Sequence, residues 1–123
     1  MKIWRCNICG NLMMVLDDSG VMPVCCGEQM EELEPGTSDG AVEKHVPVVE
    51  HGDGIATVMI GEVEHPMTKE HYIEWVILET EKGYALRHLE PGAAPQAAFC
   101  LTAGDKVKAA YAYCNLHGLW QNG

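Results

Sequence analysis

Four cysteines within the first 26 residues, Cys6, Cys9, Cys25 and Cys26, constrain this chain more than any other feature. Cys6-Asn7-Ile8-Cys9-Gly10 has the shape of a metal knuckle, in which backbone amides point at the sulfurs, and Cys25-Cys26-Gly27 follows it. Four thiolates around one ion call for tetrahedral zinc or iron, and the spacing admits both. Adjacent cysteines cannot both follow the knuckle geometry, so the site is expected to depart from a regular tetrahedron. Between the pairs, Leu12-Met13-Met14-Val15-Leu16 predicts a short strand and Asp17-Asp18-Ser19-Gly20 a hairpin turn. A module of about 35 residues cannot bury enough apolar surface to fold alone, so the metal must supply much of its stability.

Glu34-Pro35-Gly36-Thr37-Ser38-Asp39-Gly40 is a run of turn formers, and it places a boundary between a first domain over 1–35 and a second over 36–123. The second segment reads as β-sheet. Ile55 to Val63 and Tyr72 to Thr80 are rich in β-branched and aromatic residues. Shorter strands are expected at Val46 to Glu50, Tyr84 to His88, Ala97 to Thr102 and Val107 to Cys114. Turns such as His51-Gly52-Asp53-Gly54 and Glu81-Lys82-Gly83 separate them. The stretch from Ala97 to Tyr113 is alanine-rich enough for helix, but Gly104-Asp105 interrupts it. Short strands at this spacing predict a mainly β architecture, an antiparallel sandwich.

Charge narrows the partners. The 18 acidic against 8 basic side chains leave a net charge of −10, which argues against nucleic acid or an anionic membrane. No apolar run approaches the roughly 18 residues of a spanning helix, and Met1-Lys2-Ile3-Trp4-Arg5 leads straight into the cysteine motif, so a cytoplasmic protein is expected. Six cysteines in such a chain point to metal ligation before disulfides.

A second group of candidate ligands gathers around Cys114-Asn115-Leu116-His117-Gly118-Leu119-Trp120, a thiolate and an imidazole three residues apart on a tight turn. Gly118 permits that turn, and Asn115 favours it by bonding its own main chain. Alone, such a pair is an inert cysteine beside a surface histidine. Upstream, however, His45, His65 and His71 each sit where a chain element would fix their direction. Pro66 holds His65 extended at the end of its strand. By period-two counting, His71 shares a face with Ile73, Trp75 and Ile77. Ligands at strand ends, on loops at one end of a sandwich, build a site on a rigid frame. His51, in a turn, and His88, on a surface strand, are read as solvated, and Cys100 as a small buried apolar residue.

At this point the residues resemble a known family. Glu43-Lys44-His45-Val46-Pro47, His65-Pro66-Met67, His71-Tyr72-Ile73-Glu74-Trp75 and the Cys114 to Trp120 run together resemble superoxide reductases. With Cys6, Cys9, Cys25 and Cys26 the chain is similar to desulfoferrodoxins, the two-iron form, and no ligand position departs from the pattern. The resemblance implies a desulforedoxin-like, rubredoxin-type iron site on the four cysteines. It further implies an immunoglobulin-like sandwich with a second non-haem iron, His45, His65, His71 and His117 equatorial and Cys114 axial. In the family Glu43 can take the sixth position in the oxidised state, and Lys44 lies beside the open face in the reduced one. Homodimers and a rubredoxin-like electron donor are implied as well.

The implied chemistry is physically intelligible. Five protein ligands on an ion that accepts six leave one position open, which separates a catalytic site from a closed structural one. A cysteinate ligand donates electron density, as it does in haem enzymes, which here favours release of peroxide. The net reaction is superoxide plus one electron plus two protons giving hydrogen peroxide. Three other readings compete. A pure electron carrier would lack an open position, a zinc-clipped binding module would be colourless, and a dismutase would also release oxygen.

Overall fold

Left-handed turns set the first architecture. In the computed structural model, which describes residues 1–37 and 40–122, the chain divides into two compact units, Met1–Glu34 and Pro35–Gly123. Ser38 and Asp39 of the turn-former run lie outside the described residues. In the first unit β1 (Ile3–Arg5) lies between β2 (Leu12–Met14) and β5 (Glu31–Glu32) in an antiparallel sheet. A separate hairpin joins β3 (Val24–Cys25) to β4 (Glu28–Gln29). Its two-residue loop is Cys26 at φ 53° and Gly27 at φ 76°, both positive as a type I′ turn requires. The expected asymmetry between the two cysteine pairs is thus real: one pair rides a knuckle, the other a hairpin. Trp4, Cys6 and Met30 are the buried cluster beneath them.

The second unit is a sandwich of two antiparallel sheets. One holds β6 (Pro47–Gly52), β7 (Ile55–Ile60) and β10 (Gln96–Cys100) in the order β10-β7-β6. The other holds β8 (Ile73–Thr80), β9 (Gly83–His88), β11 (Val107–Cys114) and β12 (Gly118–Asn122) in the order β12-β11-β8-β9. Alternate residues of β7 and β10 (Ala56, Val58, Ile60, Ala97, Phe99) meet Ile73, Val76, Leu78, Ala110, Ala112 and Cys114 of the facing sheet. That interface is the core. A single helical turn, α1 (Val42–His45), precedes β6.

Several expectations give way to the geometry. The strand begun at Ile55 ends at Ile60, because Gly61 at φ 85° turns the chain away. His65 therefore stands in a loop. A register shift between Tyr113 and Cys114 puts Ile73 in the core with Val76 and Leu78, so it does not share a face with Trp75 and Ile77. Trp75 instead stacks on Tyr113, with ring centroids 5.4 Å apart. Cys100 is exposed, not buried, since alternation along β10 turns Phe99 inward and Cys100 out. His51 belongs to β6 rather than to the turn, and both it and His88 are exposed.

On the face away from the core, the Tyr111 hydroxyl donates to Glu79 Oε1 at 2.9 Å and that of Tyr84 to Oε2 at 3.2 Å. Burial, with the Glu79 carboxylate beside it, pushes the Tyr111 phenol up to about 12. An unfolded tyrosine ionises near about 10, so between these values the unfolded chain holds fewer protons than the folded one. Stability should therefore fall across that alkaline window, by up to about 1.4 kcal/mol per pH unit from this group. Tyr111→Phe should flatten the fall in urea titrations across that range, and an unchanged slope would mean that another group dominates.

Candidate metal centres

Short-range constraints build the first cluster. Gly10 at φ 81° closes the knuckle, its N–H bonding the Cys6 carbonyl at 3.0 Å, and the Cys9 N–H donates to Cys6 Sγ at 3.4 Å. The sulfurs of Cys6, Cys9, Cys25 and Cys26 all lie within 4.8 Å of one another. Backbone donors at Cys9 and Ile8 draw the Cys6 thiol down to about 6, whereas the Cys6 and Cys9 sulfurs push Cys25 up to about 12. Four sulfurs this close resist becoming four thiolates unless a cation neutralises them, and four thiolates are the donor set for iron or zinc.

The second cluster draws on five chain segments that come together at one end of the sandwich. His45 is the last residue of α1, His65 lies in the loop after β7, His71 just ahead of β8, Cys114 at the end of β11 and His117 in the turn before β12. Backbone carbonyls aim the first two rings. His45 Nδ1–H donates to the Ala41 carbonyl at 2.6 Å and His65 Nδ1–H to that of Pro66 at 2.7 Å. A carbonyl can only accept, so in each neutral ring the proton sits on Nδ1 and Nε2 is bare. Yet the two bare Nε2 atoms lie 3.1 Å apart. His117 Nδ1 stands 3.1 Å from the same His45 Nε2 and 3.8 Å from Cys114 Sγ. His71 Nε2 is buried without a hydrogen-bond partner among the described residues. Facing lone pairs and an orphaned buried nitrogen are costly unless a cation lies among them, so the residues fit a bound metal.

The rings are arranged as a closed circuit. Neighbours in the order His45, His65, His71, His117 meet nearly edge to face, at 74°, 81°, 72° and 85°, while His45 and His71, across the circuit, are 6.3 Å apart. Burial lowers the ring pKa of His45 and His71 and brings that of His65 down to about 4. The charge of Lys44 lowers His45 and His71 further, which places that ammonium within electrostatic reach. Burial raises the Cys114 thiol, against the pull of the Leu116 and His117 N–H groups. Neutral imidazoles and a buried sulfur suit a transition metal better than a hard cation.

Glu43 and Lys44 both lie exposed on α1. Glu43 holds the neighbouring loop through its backbone, its carbonyl accepting the Val63 N–H at 2.9 Å. Asn115 acts differently from the expected local turn bond: its side chain reaches across to the Glu70 carbonyl and the Tyr72 N–H, tying the Cys114 turn to the His71 segment. Glycines at 40 and 61 and the indole of Trp120 also shape the site, although sequence alone assigns them no part. Of the three, only Trp120 shows in the sequence, as the last residue of the run that carries Cys114 and His117.

Comparison with known proteins agrees with both clusters. The family model described as desulfoferrodoxin matches residues 37–123, and that of the desulfoferrodoxin N-terminal domain matches residues 1–33. A desulfoferrodoxin of Nitratidesulfovibrio vulgaris is 48% identical over 98% of this chain and 94% of its own length. A superoxide reductase of Pyrococcus horikoshii is 38% identical over 70% of this chain and 90% of its own. The crystal structure of the superoxide reductase from Treponema pallidum matches with a TM-score of 0.84 at 42% identity, over 99% of this chain and 98% of that one. With both cysteine and histidine clusters in place, and relatives similar from end to end, this chain belongs to the desulfoferrodoxin family.

Proposed function

We propose that the protein is a superoxide reductase, with residues 1–35 holding one iron on Cys6, Cys9, Cys25 and Cys26 and residues 36–123 holding the catalytic one. His45, His65, His71, His117 and Cys114 would hold that catalytic iron. The observation that carries this reading is the circuit of four imidazoles gathered beside a fully buried thiol. Iron bound there would supply a one-electron reduction of superoxide.

The chain's own groups set the conditions. The Ala41 and Pro66 carbonyls fix the tautomer and the aim of His45 and His65, which are only 2% and 1% exposed. Lys44 offers positive charge close to the site on a protein whose net charge of −10 repels superoxide. Glu43, next to it on α1, would supply a carboxylate to the same site. A rubredoxin-like carrier delivers the electron in the cytoplasm, and no helix of the described residues is long and apolar enough to cross a membrane. A homodimer is supported by the apolar side chains that the first unit leaves exposed, Leu16 at 85%, Val21 at 76% and Val24 at 64%.

The decisive experiment gives fully reduced, anaerobic protein a known quantity of superoxide and counts peroxide and oxygen. One peroxide per superoxide, with no oxygen above the spontaneous background, is expected. Matching oxygen would mean dismutation, and no reaction would return the protein to the electron carriers. Lys44→Ala should slow the encounter about tenfold at low ionic strength and flatten its salt dependence. A rate unchanged across ionic strengths would remove Lys44 from this role.

A further inference from the structure

Trp120 ligates nothing, yet it touches one of the four imidazoles and the main chain that carries another. Its indole lies nearly parallel to the His45 ring, with centroids 4.8 Å apart and 25° between planes. On another edge its Nε1–H donates to the His117 carbonyl at 3.0 Å. The third side of the cluster is backbone: a Cβ at Gly40 would stand 2.9 Å from His117 Cβ, His45 Cε1 and Trp120 Cζ2 alike. The indole is 3% exposed, and its position on β12, paired with Ala112 of β11, ties it to the strand that ends in Cys114. One side chain therefore joins the helix carrying His45 to the turn carrying His117.

We infer that Trp120 is a positioning residue that locks His45 and His117 at their mutual angle and lowers the reduction potential of the metal they hold. The inference rests on the second cluster being a redox metal site. An imidazole gains positive charge when its Nε2 binds a cation, and the negative face of an indole stabilises that charge. The gain is larger in the higher oxidation state, so the stack favours the oxidised metal. The N–H bond acts separately, by holding the carbonyl at the base of the His117 turn. The pocket side offers no substitute, because Gly40 leaves no space for one.

Two replacements divide these contributions in the full iron-loaded chain. Trp120→Leu removes the stack and the donor, whereas Trp120→Phe keeps a flat ring and loses only the donor. The readouts are the midpoint potential and absorption of the second iron and the rate of its loss to a chelator. The absorption of the four-cysteine iron serves as internal control. Trp120→Leu should raise the midpoint and speed iron loss about tenfold or more, within the range for groups that orient metal ligands. Trp120→Phe should stay near the wild-type midpoint while losing iron faster. A Trp120→Leu protein with wild-type midpoint and release rate would overturn the inference. If that variant does not fold, Trp120→Phe decides, and its unchanged absorption and release would overturn it equally. None of these readouts needs superoxide, so a failure of the reductase reading would leave them standing.

Discussion

Cys114→Ser is expected to leave the sandwich folded while removing most of the affinity for iron at the second site and nearly all turnover. The sulfur is fully buried at the end of β11, where Cys114 pairs with both Gly118 and Ile73. A serine hydroxyl is smaller and fits the same space. It ionises far less readily than a thiol, however, and cannot supply the soft, electron-rich donor that a thiolate does. Iron affinity should fall on the order of 100-fold or more, at or beyond the upper end of what is lost when only a ligand's supporting partner is removed. Circular dichroism should show the strands intact, iron analysis should show the four-cysteine site filled, and rapid mixing with superoxide should find no fast phase. A variant with full iron and the wild-type rate would remove Cys114 from the ligand set.

Gly61→Ala is expected to be the most damaging single methyl group in the second unit. Two penalties coincide there. The backbone sits at φ 85°, where a side chain is strained. A Cβ would also stand 2.5 Å from the Val63 carbonyl oxygen and 2.6 Å from that of Lys44, both backbone atoms. Relief requires moving α1 or the loop beyond β7, and these carry His45 and His65. The cost is about 3 kcal/mol, which for a domain of this size lowers the melting temperature by roughly 15 °C. Differential scanning calorimetry of the metal-free protein would show it. A loss below 1 kcal/mol would mean that the two segments shift apart without consequence.

The contrast between these positions shows how much of the site was legible in the sequence. Cys114 carries its own chemistry, and its spacing from His117 becomes a ligand signal once His45, His65 and His71 are counted with it. The strand from Val107 to Cys114 runs over the residues expected for it, although its alanines also allowed a helix. Gly61 is different, because its importance lies in a carbonyl contributed by Lys44, which only the tertiary fold brings near. The same holds for Trp120, whose stack on His45 pairs residues far apart in the chain. Local pattern also failed where the sheet departs from regularity. The shift between β8 and β11 changed the face to which Ile73 belongs, and no alternation rule foresees a bulge. Asn115 bonds across to Tyr72 rather than within its own turn, an outcome that depends on which segment happens to face it.

The two metal clusters also differ in how far apart along the chain their parts lie. Cys9 and Cys25, whose sulfurs touch, are separated by 16 positions, whereas His45 and His117 meet across 72. Closing the shorter loop is entropically cheaper, and it needs no partner strands. The cysteine cluster can thus capture an ion while the rest of the chain is still unpaired, and that ion then nucleates its small unit. The second cluster has local pairs, Cys114 with His117 and His65 with His71, but joining them to His45 closes loops of 20 and 72 positions. The complete donor set thus exists only in the folded sandwich, which ties tight metal binding at this site to folding of the second unit.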